Sequence, residues 1–381
     1  MEHSMISIKD FLQNYKYLEV INTDGIRDID ALLEKMVIQT NGIKINYDYP
    51  LGVKNYFAFC KEKNFCIVIK EDRMIKGFAT LSIQNILING EIQSVCYIGD
   101  LCTSPNLSSE GKRQWQNAFI DIVKQKDNIQ EFCECKYFYA LILKDHAGLD
   151  GILERLNRGI SVNQENEYKI INIFARKYPI LPHPPINLDT ATIEELEEVR
   201  SYLALQKIHR TKDINVVLDR DIISTHILKQ NCYITRDENN QINSVIICKE
   251  NDLKRVHIQK MDSIFKMAGT LLPLFGRSKI QEGDTLNNLY FEVFEVDSKM
   301  KPLKRSEYAS SIIAGLLRNE RYKECALFTI PAYGDKYIER ASKNFFSIES
   351  IITETIFLKK ASAAKMYSTE GIDDQEEQKI S

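Results

Sequence analysis

Four of the nine prolines in this chain, Pro179, Pro182, Pro184 and Pro185, fall in one short stretch, "KYPILPHPPINLDT" (177–190). Proline has no backbone N–H and a fixed φ, so such a stretch is an extended spacer rather than the interior of a helix or strand. It cuts the 381 residues into two parts of similar length. A chain of this size exceeds what one hydrophobic core usually holds, so two domains are expected. The boundaries predicted are a first domain over 1–178, a spacer over 179–190, a second domain over 191–360 and a polar, aperiodic, mobile tail over 361–381.

The two parts repeat one order of elements. In the first, apolar spacing predicts a helix over 24–39, then strands over 64–72, 74–88 and 91–103 with turns at Glu71-Asp72-Arg73 and Asn89-Gly90. A helix over 109–125, a strand over 135–145, a short helix over 147–157 and a strand over 167–178 complete it. In the second part the same order reads helix 191–207, strands 231–238, 241–250 and 286–296, helix 306–320, strand 325–330, helix 334–342 and strand 351–360. The architecture repeats while the residues do not.

Composition narrows the function classes. The formal net charge is −3, so no general basic field draws in nucleic acid, and the basic loop 298–305 lacks interleaved aromatics. No apolar run reaches the ~20 residues that a membrane helix needs, and the first residues lack a signal-peptide core, so the expected location is the cytoplasm. The nine cysteines sit mostly in apolar runs such as "FCIVI" and "VIICK" and are read as reduced, buried thiols; their spacing predicts no metal site.

The chemistry is expected at "YIGDLCTSPNLSSEGKRQW" (97–115), where a strand ends in a polar loop and a helix begins. The first N–H groups of a helix lack internal partners and carry partial positive charge, so an anion fits there. With the element order above, this junction resembles that of the GNAT superfamily of acyl-CoA-dependent N-acyltransferases. In that family a central strand pairs with the pantetheine arm of CoA, and the loop pattern Arg/Gln-x-x-Gly-x-Gly/Ala binds the pyrophosphate. Laid on the pattern, Ser108 takes the first position, Gly111 the central glycine, and Arg113 stands where the family has a small residue.

The resemblance implies two GNAT-like α/β domains, each a mixed, mostly antiparallel sheet flanked by helices. It implies acetyl-CoA or another acyl-CoA as cofactor, and a small-molecule or peptide amine as acceptor. Leu101, Cys102 and Thr103 would meet the pantetheine arm, and Ser108, Ser109, Gly111, Lys112 and Arg113 the phosphates. Asp100, on the strand just before the loop, is the candidate base. The helix after the following strand lacks the family's tyrosine in the first half, where Leu153 takes its place and His146 lies nearby. In the second half it carries Tyr333 and Tyr337, and Tyr337 is the candidate acid. Lys299, Lys301, Lys304 and Arg305 form a basic loop ahead of the second half's helix, with Ser306 as its expected cap. A second functional reading is a GNAT-like scaffold that binds a partner or CoA without turnover. The oligomeric state is not encoded in any feature of the sequence.

Overall fold

The computed structural model describes residues 5–21, 29, 32, 38–40, 42–49, 64–88, 91–144, 149–177, 185–207, 212–213, 220–250, 255–275, 279–332 and 336–360. His146, Tyr333 and the tail 361–381 lie outside them, as does most of the helix expected over 24–39.

The strands in chain order are β1 (Leu18–Ile21), β2 (Ile38–Thr40), β3 (Ile43–Asp48), β4 (Asn64–Glu71), β5 (Met74–Ile88), β6 (Glu91–Thr103), β7 (Phe138–Leu143), β8 (Ser161–Arg176), β9 (Asp189–Thr190), β10 (Lys212–Asp213), β11 (Cys232–Arg236), β12 (Ile242–Glu250), β13 (Arg255–Met261), β14 (Thr285–Leu286), β15 (Asn288–Val296), β16 (Leu327–Ala332) and β17 (Phe345–Leu358). The α-helices are α1 (Ile8–Leu12), α2 (Ser109–Lys124), α3 (Leu149–Gly159), α4 (Leu196–Lys207), α5 (Arg220–Leu228), α6 (Ser263–Leu271), α7 (Pro302–Arg318) and α8 (Lys336–Ser342).

One 13-stranded sheet runs through both halves in the order β1-β4-β5-β6-β7-β17-β8-β16-β15-β12-β11-β9, with β10 added against β5. A smaller sheet, β14-β13-β3-β2, also takes strands from each half. Among the described pairings of the large sheet only β6/β7 and β15/β16 are parallel, so the sheet is mixed and mostly antiparallel.

The centre of the large sheet is an exchange. β17, the last strand of the second half, lies between β7 and β8 of the first, and β8 in turn pairs with β16. Each exchanged strand serves both cores. Phe345 at the start of β17 packs with Ile171 and Ile173 of β8 under α7 and α8, while Phe357 near its end packs with Ile122, Phe138 and Leu156 under α2 and α3. The proline-rich segment is docked where it is described. The Ile186 amide donates to the Ser311 carbonyl at 3.3 Å, and Ile186 packs against the second core.

Local chemistry explains the elements that frame the site. β4 and β5 join through a two-residue turn with φ of 52° at Asp72 and 63° at Arg73, the left-handed pair that suits the twist of a tight hairpin. α2 starts where Ser108 caps it, its Oγ accepting from the Gly111 amide at 2.9 Å. α7 starts four residues earlier than Ser306 suggests, because Pro302 is preorganised for the first helical position. Ser306 is buried and its hydroxyl donates to the Pro302 carbonyl at 2.8 Å, so it does not cap the helix.

Candidate functional site

In each half the central strand leaves its parallel neighbour after a short run of pairing. β6 meets β7 at Cys96/Phe138 and Tyr97/Tyr139; β15 meets β16 from Asn288/Leu327 to Tyr290/Thr329. Beyond those residues the strands part, and each central strand carries a bulge near the point of parting. On β6 the register jumps between Gly99 and Cys102, so Asp100 and Leu101 face the single residue Ala79; on β15 it jumps across Glu292. A bulge adds a residue and bends the strand, which opens a V in the sheet. Asp100 has a φ of 49°, the left-handed value an Asp tolerates at such a site.

In the first half Leu101 is 57% exposed and Thr103 is exposed, while Cys102 faces inward and is buried with Phe78 and Val68. Asp100 accepts from the Thr80 hydroxyl at 3.2 Å. The helix end is not vacant. Glu71, the last residue of β4, reaches across to it and accepts both the Ser108 amide, at 3.1 Å, and the Ser108 hydroxyl. A Cβ on Gly111 would lie 2.4 Å from Glu71 Oε1 and 2.7 Å from Leu107 Cδ1. Gly111 thus lets the chain's own carboxylate approach the helix as closely as a bound anion. The Ser108 hydroxyl, the Ser108 amide and the charge of Lys76 hold the Glu71 carboxyl below the usual carboxylate range, against a smaller opposing effect of burial. Ser109, Lys112 and Arg113 are exposed; Arg113 is engaged by Glu110 one turn earlier, Nη2 to Oε2 at 2.6 Å.

The second half is closed differently. Tyr337 is 5% exposed and donates to the Phe294 carbonyl at 2.8 Å; Arg305 donates from Nε to the Val296 carbonyl at 3.0 Å and stacks on the Tyr337 ring at 3.8 Å. Two side chains therefore occupy the strand edge that corresponds to the exposed stretch of β6. Tyr337 and Asp100 do not serve one centre. Asp100 stands on β6 and Tyr337, from α8, bonds to β15, and those two strands are five spacings apart in the sheet, about 24 Å.

Two carboxylates near the sites were not visible as such in the sequence, Glu292 at the bulge of β15 and Glu71 at the end of β4. Glu292 accepts from His226 Nε2 at 2.7 Å and from Lys249. Burial pushes its carboxyl up, but those two partners outweigh it and bring it down to about 2. The only signal was an acid placed inside an apolar strand, "NLYFEVFEV". Glu71 had a turn signal beside it and nothing to tie it to Ser108, 37 residues away. Among the described residues no group of acidic, histidine or cysteine side chains forms a metal site, and no helix is long and apolar enough to cross a membrane.

No protein-family model and no curated protein sequence matches the chain. Solved structures do. N-myristoyltransferase of Saccharomyces cerevisiae with bound myristoyl-CoA superposes with a TM-score of 0.54 at 11% identity, over 90% of this chain and 79% of that one. A GCN5-related glucosamine N-acetyltransferase region in a fungal multi-domain GH3 β-N-acetylglucosaminidase superposes with a TM-score of 0.55 at 11% identity, over 88% of this chain and 38% of that one. At these identities the likeness is one of fold. Together with the bulged central strands, their parting from parallel neighbours and the helices that follow, it establishes that this chain has the fold of the GNAT superfamily.

Proposed function

We propose that the chain is an acyl-CoA-dependent N-acyltransferase whose cofactor lies in the first half, and that acetyl-CoA is its donor. The observation that carries this reading is the exposed edge of β6 at Leu101 and Thr103, running past a bulge toward the N-terminus of α2. Bound acyl-CoA supplies an activated carbonyl on a thiol leaving group. The chain supplies the rest. The backbone at Leu101, Cys102 and Thr103 aligns the pantetheine arm, and the amide of Leu101 or Cys102 polarises the carbonyl. Asp100 takes the proton of the attacking amine, directly or through water, and that proton passes to the sulfur as the carbon–sulfur bond breaks, so the leaving group departs as a thiol. Ser108, Ser109, Gly111, Lys112 and Arg113 receive the diphosphate once the Glu71 carboxylate has swung off Ser108. Glu71 lies at the surface, so that movement needs only a side-chain rotation.

Calorimetric titration with acetyl-CoA and with myristoyl-CoA, paired with detection of released thiol in the presence of amines, tests the reading. Binding with thiol release supports it, and the tighter donor fixes the chain length. No binding of either at millimolar concentration ends it. The retained Glu71 and the closed edge of β15 favour one alternative, a scaffold that holds CoA without turnover; binding with no thiol release across an amine and peptide panel would select it.

A further inference from the structure

α6 and the 3₁₀ turn that continues it, Leu272–Phe275, are apolar on two sides. On the inner side Phe265 and Leu272 pack with Ile258, Met261, Ile280 and Leu286, and the Ile280 amide donates to the Gly269 carbonyl at 3.3 Å. On the outer side Ile264, Met267, Leu271 and Leu274 are between 44% and 78% exposed. Their spacing of three, four and three residues stacks them along one face of a helix. Among the described residues no other helix or strand exposes more than two large apolar side chains. Single exposed hydrophobic residues are ordinary, whereas a row of four marks a surface that meets something.

The charges of this segment are of one sign. Residues 263–280 hold Lys266, Arg277 and Lys279 and no acid, in a chain where acids outnumber bases by 53 to 50. Lys266 and Lys279 are exposed. So are Lys44 and Lys260, which stand opposite each other on β3 and β13, and like charges so placed repel unless an anion relieves them. The acids at the border are held by backbone amides. Asp262 Oδ1 accepts from Phe265 at 3.0 Å and caps the helix, Glu282 Oε1 accepts from Met261 at 2.8 Å, and Asp284 Oδ2 from Gln281 at 2.8 Å. Lys266 also pairs with Glu282 at 3.1 Å, an exposed bridge of the kind that contributes little. Four side chains fall well short of the roughly 20–30 residues a side that a stable protein interface uses, which argues against a second copy. A bilayer needs no such area, because its boundary takes apolar side chains one by one while lysines stay at the headgroups.

We propose that α6 is an interfacial anchor that seats the protein on a bilayer containing anionic phospholipid, with Ile264, Met267, Leu271 and Leu274 in the acyl boundary and Lys266 and Lys279 at the headgroups. α6 and its 3₁₀ turn are too short to span a hydrocarbon core, which takes ~20 residues, so the helix lies in the plane of the membrane. Its inner side is fixed to the small sheet by Phe265 and Leu272, so the anchor is formed before it meets lipid and binding costs little ordering. The inference stands apart from the acyltransferase reading, since none of these residues belongs to the β6 edge or the start of α2.

Cosedimentation of the full chain with vesicles of phosphatidylcholine alone, and of phosphatidylcholine mixed with phosphatidylserine, tests it. The wild type is expected to bind the mixed vesicles ~10-fold more tightly than the neutral ones and to lose most of that preference at high salt. Met267→Ser combined with Leu274→Ser is expected to weaken binding to the mixed vesicles by ~10-fold or more, with unchanged melting because both side chains are exposed. Leu228→Ser, at a comparably exposed leucine on α5, should bind as the wild type does. Should the double serine variant melt early, Lys266→Gln combined with Lys279→Gln decides alone, by removing the preference for the mixed vesicles. No binding to the mixed vesicles, equal binding to both kinds, or a double serine variant that melts and binds as the wild type overturns the proposal. So does a dimer at sedimentation equilibrium that the double serine variant abolishes, which would assign the face to a second copy.

Discussion

In the first half the central strand β6 leaves its neighbour with Leu101 exposed, and the closure sits at the helix end, where Glu71 holds Ser108. In the second half the closure sits on the strand, where Tyr337 and Arg305 take the carbonyls of Phe294 and Val296, and Lys301, the residue before α7, provides no side-chain cap. The difference lies in what each closure would cost to open. Glu71 is a surface carboxylate that water can receive when it rotates away. Tyr337 is packed among Phe294, Phe328 and Ile338 in the core, and withdrawing it leaves a cavity and a buried carbonyl without a donor. Of the two central strands, β6 keeps the exposed edge, and the second half contributes β17 to the sheet beside it.

The exchange is the first point at which to break this comparison. Removing β17 takes Phe345, Ile352, Ile356, Phe357 and Leu358 out of the packed sheet, each worth about 1.5–3 kcal/mol of burial. That sum is on the order of the whole stability of a domain, ~5–15 kcal/mol. A chain ending before Phe345 is expected to lose the cooperative melt of both halves by circular dichroism. A folded first half in that truncation would contradict the exchange.

Two carboxylates, Glu292 at the bulge of β15 and Glu71 at the end of β4, give the next contrast. Glu292 has a folded value of about 2 against an ordinary 4.5, so its contribution is complete above pH ~5 and is lost as the pH falls toward 2. The shift corresponds to about 3 kcal/mol. Urea unfolding between pH 6 and pH 3 (about the range concerned) should show a steep loss of stability that Glu292→Gln flattens. The half-buried Glu71 is also lowered, so it acts in the same direction, and Glu71→Gln should flatten the curve far less.

Two glycines sharpen the same point in packing terms. A Cβ on Gly315 of α7 would stand 2.3 Å from the Ile186 carbonyl oxygen, a backbone atom, whereas at Gly111 the close atoms are side-chain ends. Gly315→Ala is expected to destabilise by ~1–3 kcal/mol and Gly111→Ala by less, because Glu71 can rotate away. Thermal melts of the two variants check the order. Smallest in energy but closest to function is Glu71→Gln. It removes the charge that competes with phosphate at α2 and should tighten acyl-CoA binding severalfold by calorimetry. Weaker binding would show that Glu71 supports the cofactor loop rather than blocking it.

The sequence made the elements that bear on the site legible because their signals are local. The turn at Asp72-Arg73, the apolar strands 64–71, 74–88 and 91–103 and the helix that follows them each depend on residues a few positions apart. Short pieces such as β1 and α1, and β3 pairing with β13 from the other half, were missed because a short segment has too few turns or alternations to show a period. The exchange of β8 and β17 was illegible for a different reason. An apolar strand after a helix pairs equally well with its own half or with the other, and no residue in "FFSIESIITETIFL" names the partner. Asp100 could be placed on its strand, while the partners of Glu71 and Glu292 lie far along the chain, at Ser108 and His226.

A crystal structure of the chain soaked with acetyl-CoA tests the central claim most directly. The pantetheine arm should lie along β6 from Leu101 to Thr103, with the diphosphate at the start of α2, Glu71 turned away from Ser108, and Tyr337 still bonded to the Phe294 carbonyl. Cofactor along β15 with Tyr337 displaced, or Glu71 unmoved with no cofactor beside β6, would contradict it.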